Sequence, residues 1–289
     1  MSAPIRRPYR RAVVIGVGLI GGSVALALRE RQMARRVIGV VRSAERVQRV
    51  LDCGVVEEAT ADLESACAGA DLVVVCTPVG LIAASALEAA QHAAPGALVT
   101  DGGSTKAAIV RYVAARWPTD AEGLAFVGAH PLAGDTRTGP ESARADLFEG
   151  AVTVITPSPD APERAVRAAR RLWEGLGSKV VEMTPERHDE LLALSSHVPH
   201  VAAAAVAATT PEEALPLTAS GWADTTRVAA GSPPLWRDIL LANPQPIAGA
   251  LRRLGQELEA YAAALEAGDG DTIERLLEEG RRKRDALGS

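Results

Sequence analysis

Two short polar stretches interrupt an otherwise apolar first half of the chain. They are "TDGGSTK" (Thr100 to Lys106) and "GAHPLAG" (Gly128 to Gly134). Each follows an apolar run that reads as a buried strand, and core packing alone would not demand Ser104 or His130 there. A histidine with a serine beside it accepts a hydroxyl proton while hydride leaves the same carbon. Each residue also has a plainer reading. His130 is a strand-end histidine bonded to backbone, and Ser104 caps a helix starting at Thr105. Further on, "SSHVPHVAAA" sets His197 and His200 three residues apart on one helix face. Without neighbouring carboxylate or cysteine ligands they make a poor metal site, so no metal is expected. "GWADTTRVAAGSPPLWRDIL" (Gly221 to Leu240) gathers Asp224, Arg227 and Trp236 in a segment broken by Gly and Pro, which reads as a loop. Such loops bind small acids, and the Arg227 guanidinium suits a carboxylate. The plainer reading is a surface arginine between helices.

The stretch "VVIGVGLIGGSVA" supplies what a hydride reaction needs. Gly16, Gly18 and Gly21 fall at G-x-G-x-x-G spacing between a β-branched run and a helix, with a second strand beyond. Gly16 permits the tight turn, Gly18 lets backbone approach a pyrophosphate, and Gly21 lets helix pack on strand. Leu19 and Ile20 open the helix whose N-terminal N–H groups face the phosphates. Thr77 and Pro78 end the strand "ADLVVVCTP". Ligands of open parallel sheets lie outside the carboxyl ends of the strands, so these residues and Ser104 line one cofactor crevice. An NAD site places an acid about 20 residues past the motif. That count lands on Val41, followed by Arg42 and Ser43, with Arg46 one turn on. Two arginines and a hydroxyl favour the 2′-phosphate of NADP. NAD stays possible if Arg42 is only a solvated loop residue.

The elements that position these groups alternate. "RAVVIG", Arg36 to Val41, Ala70 to Pro78, Ala97 to Ser104, Ala125 to Pro131 and Ala151 to Pro157 read as strands. Helices are expected over Leu19 to Gln32 and Ser43 to Cys53, with Ser43 a possible N-cap, and over Ala161 to Gly175. Apolar strands separated by helices indicate a parallel sheet covered on both faces. A last strand, Ser178 to Thr184, closes the α/β part, and the rest is helical. The division is 1–184, dinucleotide-binding, and 185–289, helical. The helices beyond Pro185 read as too short and too Ala-rich for a deep core of their own, which predicts a homodimer built through them.

Bulk composition excludes other classes. The chain has 289 residues, 47% hydrophobic and 23% charged, with net charge −5, so no nucleic-acid partner is expected. The basic run Arg6 to Arg11 is short and terminal. Cys53, Cys67 and Cys76 lack metal-ligand spacing. No apolar stretch approaches the roughly 20 residues needed to span a bilayer, and no signal peptide is visible. A soluble, reduced, cytoplasmic protein follows.

Taken together, "GVGLIGGSVA", "VVVCTPV", "VTDGGSTK", "GAHPLAG", "HDELLALSSHVPH" and "GWADTTRVAAGSPPLWRDILLAN" resemble, in order and over nearly the whole chain, the prephenate/arogenate dehydrogenase family of tyrosine biosynthesis. The resemblance implies a modified Rossmann domain with a parallel-rich sheet, an all-helical dimerisation domain, and oxidative decarboxylation of a cyclohexadienyl substrate. It implies that His130 is the catalytic histidine on the ring hydroxyl and that Ser104 orients both. It also implies that Arg227 grips a substrate carboxylate, with His197 and His200 near the ring carboxylate and Asp224 and Trp236 in support. The chain departs from the family where Asp135, Thr136 and Arg137 replace a pattern that carries Glu, and where the ribose acid is missing. Two other readings compete. A β-hydroxyacid dehydrogenase would use a helical-domain lysine, but no Lys lies between Lys179 and Lys283. A silent NADP(H) sensor would have no use for Ser104, His130 and Arg227 together.

Overall fold

A computed structural model of the chain describes residues 9–118, 123–134 and 137–286. Arg6 and Arg7 of the basic run, and Asp135 and Thr136, lie outside the described residues.

Eight strands form one sheet in the order β3-β2-β1-β4-β5-β6-β7-β8. They are β1 (Tyr9–Ile15), β2 (Ala34–Val40), β3 (Glu58–Thr60), β4 (Leu72–Val75), β5 (Leu98–Asp101), β6 (Ala125–Pro131), β7 (Val152–Thr156) and β8 (Lys179–Glu182). The first six pair in parallel in the Rossmann order, with the order reversing between β1 and β4. β7 runs antiparallel to β6, and β8 parallel to β7. The sheet is thus parallel-rich, as expected, and its last two strands run opposite to the first six. Apolar runs reveal that a strand is buried on both faces, but carry no information on its direction.

Successive strand side chains go to opposite faces and fill two cores. Ala12, Val14, Leu72 and Val74 join Phe148, Leu172 and Trp173 on one face. Val13, Ile15, Val73 and Val75 join Ile82, Ile109 and Val113 on the other. The covering helices are α1 (Leu19–Glu30), α2 (Ala44–Asp52), α3 (Leu63–Cys67), α4 (Val79–Ala90), α5 (Ala107–Ala114) and α6 (Glu163–Gly175). Ser43 stands at the N-cap of α2, but its side chain makes no capping bond.

Beyond β8 the described chain is helical: α7 (Pro185–Leu192), a π-helical turn Ala193–His197, α8 (Val198–Thr209), α9 (Ser220–Thr226), α10 (Pro233–Ala242), α11 (Pro244–Ala267) and α12 (Gly270–Asp285). Three expectations are corrected here. The helices are not all short, since α11 runs 24 residues. The segment read as a loop around Arg227 is instead α9, a 3-10 turn Arg227–Ala230, and α10. Prolines at the first positions of α10 start a helix rather than break one. The unbroken helical run Pro185–Thr209 is also long and apolar enough, by length and composition, to cross a membrane, contrary to the sequence reading. It also carries the buried polar residues His188, Asp189, His197 and His200.

The glycine turn divides into a structural and an open position. Gly16 has φ +90, and a Cβ on Gly21 would lie 2.1 Å from the Gly16 carbonyl oxygen. A Cβ on Gly18 would meet nothing within 4 Å among the described residues. Gly21→Ala is expected to destabilise the ligand-free protein by roughly 2–3 kcal/mol through overpacking. Gly18→Ala should change stability by no more than about 0.5 kcal/mol. Urea unfolding of both variants checks this, and equal effects would show that the turn does not pack as described.

Candidate active site

The reversal of strand order between β1 and β4 opens a crevice at the carboxyl ends of the strands. Gly16 turns the chain there because its positive φ suits glycine, and a side chain would run into the Cys76 carbonyl at 2.7 Å. Gly18 stands at the N-cap of α1, with no side-chain cap and no acid in the first turn. The N-terminal N–H groups of Leu19, Ile20 and Gly21 are therefore open to an anion. Across the crevice, Pro78 caps α4, and Thr77 Oγ1 is buried without a hydrogen-bond partner among the described residues. An open glycine, an uncapped helix N-terminus and an orphaned hydroxyl fit a dinucleotide pyrophosphate. At the end of β2, Val41 is buried and its N–H donates to the Thr60 carbonyl at 3.0 Å. Arg42 and Arg46 are exposed, Ser43 is half-buried, and neither arginine has an ion-pair partner among the described residues. Arg49, one turn beyond, is already bonded to Glu141 at 2.5 Å.

At the neighbouring strand ends a buried polar group ties the two halves together. Asp101 ends β5 and accepts the N–H of Gly103 at 2.9 Å and of Ala129 at 2.9 Å. It also pairs with Lys106, and neither side chain has exposed surface. Lys106 Nζ donates to the Ala129 carbonyl at 2.9 Å, so one lysine fixes the residue before His130 from both β5 and β6. Burial lowers the Lys106 pKa, against the pull of Asp101. α5 starts at Ala107, not Thr105, and Ser104 is not its cap. Asp189 of α7 caps it instead, accepting the N–H of Lys106 at 2.8 Å and of Ala107 at 2.9 Å. Ser104 is half-buried and has no hydrogen-bond partner among the described residues.

His130 sits in this group rather than on backbone, which removes its plainer reading. Its Nδ1 lies 2.9 Å from Nε2 of His188, and the His188 Nδ1 lies 2.8 Å from Asp189 Oδ1. His188 has no exposed surface. Burial first, then His188, Lys106 and His197, hold His130 well below the ordinary histidine pKa, so it is neutral at physiological pH. Asn243, in front of α11, donates to the Asp189 carbonyl at 2.8 Å and lies 3.4 Å from His197 Nδ1. Burial lowers the His197 pKa to about 4 despite Asp189.

His197 ends the π-helical turn, and His200 follows on α8. Both meet Trp236 of α10: His200 stacks on it with centroids 3.5 Å apart, and His197 approaches edge-on at 6.3 Å. His200 Nδ1 is buried without a partner among the described residues. Arg227 and Asp224 are exposed on the adjoining helical turns and make no hydrogen bond or ion pair among the described residues. Among the described residues no group of three or more His, Cys, Asp or Glu is placed to hold a metal ion.

The structure thus links His130, His197, His200 and Trp236, whereas Ser104, Arg227 and Asp224 make no bond to them among the described residues. It adds Asp101, Lys106, His188, Asp189 and Asn243, which the sequence reading did not single out. A usable signal exists: His-Asp in the first turn after the Thr-Pro start of a helix, and a lysine seven residues after an apolar strand's last valine.

Comparison with known proteins follows the same division. Residues 24–182 match the prephenate dehydrogenase nucleotide-binding domain, and residues 184–279 the prephenate dehydrogenase dimerization domain. The chain is 34% identical over 282 residues to the prephenate dehydrogenase of Bacillus subtilis (strain 168), covering 95% of this chain and 75% of that one. It is 31% identical to the cyclohexadienyl dehydrogenase of Zymomonas mobilis, with 96% of each covered. Among solved structures, prephenate dehydrogenase from Aquifex aeolicus with hydroxyphenyl propionate and NAD+ superposes with a TM-score of 0.85 at 28% identity, covering 96% of this chain and 98% of that one. Arogenate dehydrogenase from Synechocystis gives 0.81 at 30%, covering 96% and 99%. The chain belongs to the prephenate dehydrogenase family, NAD(P)-dependent oxidoreductases of tyrosine biosynthesis.

Proposed function

We propose that this protein oxidatively decarboxylates a cyclohexadienyl acid, prephenate or arogenate, with residues 1–184 holding the cofactor and 185–289 completing the substrate site. The observation that carries the reading is the placement of His130: neutral, half-buried at the end of β6, with Nδ1 engaged by His188 and Nε2 without a partner among the described residues. The bound dinucleotide supplies the hydride acceptor at the ring carbon that bears the hydroxyl. Gly16, Gly18, Leu19, Ile20, Gly21, Thr77 and Pro78 hold it, and Ser104 faces its nicotinamide end. His130 Nε2 accepts the hydroxyl proton as hydride departs, and Ser104 orients that hydroxyl. Loss of the ring carboxylate as CO2 then makes the ring aromatic, which drives the reaction forward. Arg227 binds a substrate carboxylate, with His197, His200, Trp236 and Asp224 around it. The protein's contribution is chiefly orientation. The paired His197 and His200 favour the keto acid, prephenate.

His130→Asn is expected to lower kcat by about 10²–10⁴-fold while cofactor binding persists. Arg227→Ala should mainly raise the substrate KM, by roughly one to two powers of ten. A proton acceptor must be neutral, and His130 becomes charged only as pH falls through its lowered pKa. The acid limb of kcat is therefore expected below pH 6.5, the ordinary histidine value, with no loss attributable to His130 between that value and neutrality. Steady-state kinetics with prephenate and arogenate check all three, and turnover of His130→Asn within twofold of the parent removes it from the mechanism.

For the cofactor we infer NADP in preference to NAD. Val41 occupies the place of the ribose acid and is turned inward, so nothing there repels a 2′-phosphate. Arg42, just before α2, and Arg46, in its first turn, are exposed and have no ion-pair partner among the described residues, and Ser43 adds a hydroxyl. Glu45 in the same turn opposes an anion, which makes the cofactor ratio a better test than counting charges. The parent should show a higher kcat/KM for NADP than for NAD, and Val41→Asp with Arg42→Ala should shift the ratio toward NAD. A parent that clearly prefers NAD overturns the inference.

The second domain matches a family dimerization domain, and its helices expose Leu217 (85%), Leu241 (71%) and Leu265 (67%). We propose that a second copy covers these side chains, giving a homodimer in a reduced, cytoplasmic setting consistent with the free Cys53, Cys67 and Cys76. Sedimentation velocity at micromolar concentration should give the dimer mass, and a monomer overturns this.

A further inference from the structure

The hydrogen-bond chain that begins at His130 crosses between the domains and ends on a helix cap. Asp189 accepts two backbone N–H groups at the start of α5, the arrangement of an ionised, acceptor-only carboxylate. His188 Nδ1, 2.8 Å from that carboxylate, therefore carries a proton and donates it. A neutral imidazole protonated at Nδ1 has its lone pair at Nε2. His188 Nε2 thus accepts from Nδ1–H of His130, 2.9 Å away. His130 in turn keeps its lone pair at Nε2, the nitrogen with no protein partner among the described residues. The cap on α5 therefore dictates, through two rings, which nitrogen of His130 is basic.

We propose that His188 is a positioning residue that fixes the His130 tautomer and takes over the positive charge formed when His130 accepts a proton. The substrate hydroxyl proton bonds to His130 Nε2, and the N–H bond at His130 Nδ1 breaks as that proton passes to His188 Nε2. His130 ends neutral, and His188 ends as an imidazolium whose Nδ1–H is still donated to Asp189. One proton has left the substrate and one has been gained by the histidine pair, while the two electrons of the hydride go to the nicotinamide. The charge is placed on His188 because its Nδ1 lies 2.8 Å from a carboxylate, whereas His130 has no carboxylate partner among the described residues. His188 and Asp189 belong to α7, so the base is complete only with the helical domain seated on α5.

The kinetic part of this inference rests on the dehydrogenase reading; the tautomer part does not. The chain has five histidines, so side-chain ring nitrogens of the full-length, 15N-labelled protein can be assigned with single variants. Long-range 1H–15N spectra at neutral pH are expected to show both His130 and His188 protonated at Nδ1. A parent His130 protonated at Nε2 overturns the proposal, whether or not any variant folds. His188→Gln offers Oε1 to the His130 Nδ1–H but cannot hold a transferred proton. It is expected to lower kcat with prephenate or arogenate roughly 10- to 100-fold, with substrate and cofactor KM within about threefold of the parent. A kcat within twofold of the parent, or a loss confined to KM, overturns the charge transfer. A parent with no turnover on either substrate defeats the dehydrogenase reading instead, and the tautomer spectrum still decides the positioning role.

Discussion

The site depends on one buried ion pair, Lys106 with Asp101. A lysine with no exposed surface is costly unless its charge is matched and its protons are donated. Here the match is also a clamp. Asp101 holds the turn after β5 through the Gly103 N–H and the end of β6 through the Ala129 N–H, while Lys106 takes the Ala129 carbonyl. Such a pair is weak evidence for stability, since apolar residues of like volume often pack as well. What it supplies is registry. It sets the last residue of β5, the residue before His130 and the residue before α5 in one rigid frame, and Ser104 lies within the turn so defined.

That frame also explains how two domains make one site. α5 begins with unpaired N–H groups, and no residue of its own caps it. Asp189 from α7 fills the role, so the helical domain docks by satisfying donors that would otherwise be buried and unpaired. Asn243 then holds the Asp189 backbone and reaches toward His197, bringing α11 into the same arrangement. The cofactor crevice comes from the sheet, and the ring contacts of His197 and His200 with Trp236 come from the helices. The site proposed above therefore draws on both halves.

The sequence showed much of this, and its failures have physical causes. The long apolar strands and the glycine turn were legible because burial on both faces and the steric demands at Gly16 and Gly21 leave local marks. β3, three residues and only half-buried, carries no periodicity to read. The reversed β7 is invisible because direction is a matter of topology. The segment around Arg227 has the local composition of a loop because proline, a breaker inside a helix, here stands at the start of one. His188 and Asp189 were overlooked because their partners, His130 and Lys106, are 58 and 83 residues away. Local spacing showed the His197–His200 pair, but only the fold shows what caps α5.

For the proton transfer proposed for His130, a histidine held well below its ordinary pKa is a weak base, at first sight poorly suited to take a hydroxyl proton. The chemistry removes the difficulty. As hydride leaves the ring carbon, the attached oxygen moves toward a protonated ketone, and its proton becomes strongly acidic. The acceptor then needs to be neutral and in place far more than it needs to be basic. Burial, then His188 and Lys106, favour the neutral form, and the contact with His188 orients the ring. A stronger base in the same position would spend part of its time already protonated and unable to act. The polar residues around His130 thus work in one direction: they hold an uncharged imidazole ready and place the anion that answers its eventual charge one ring further back, on the helix that closes the site.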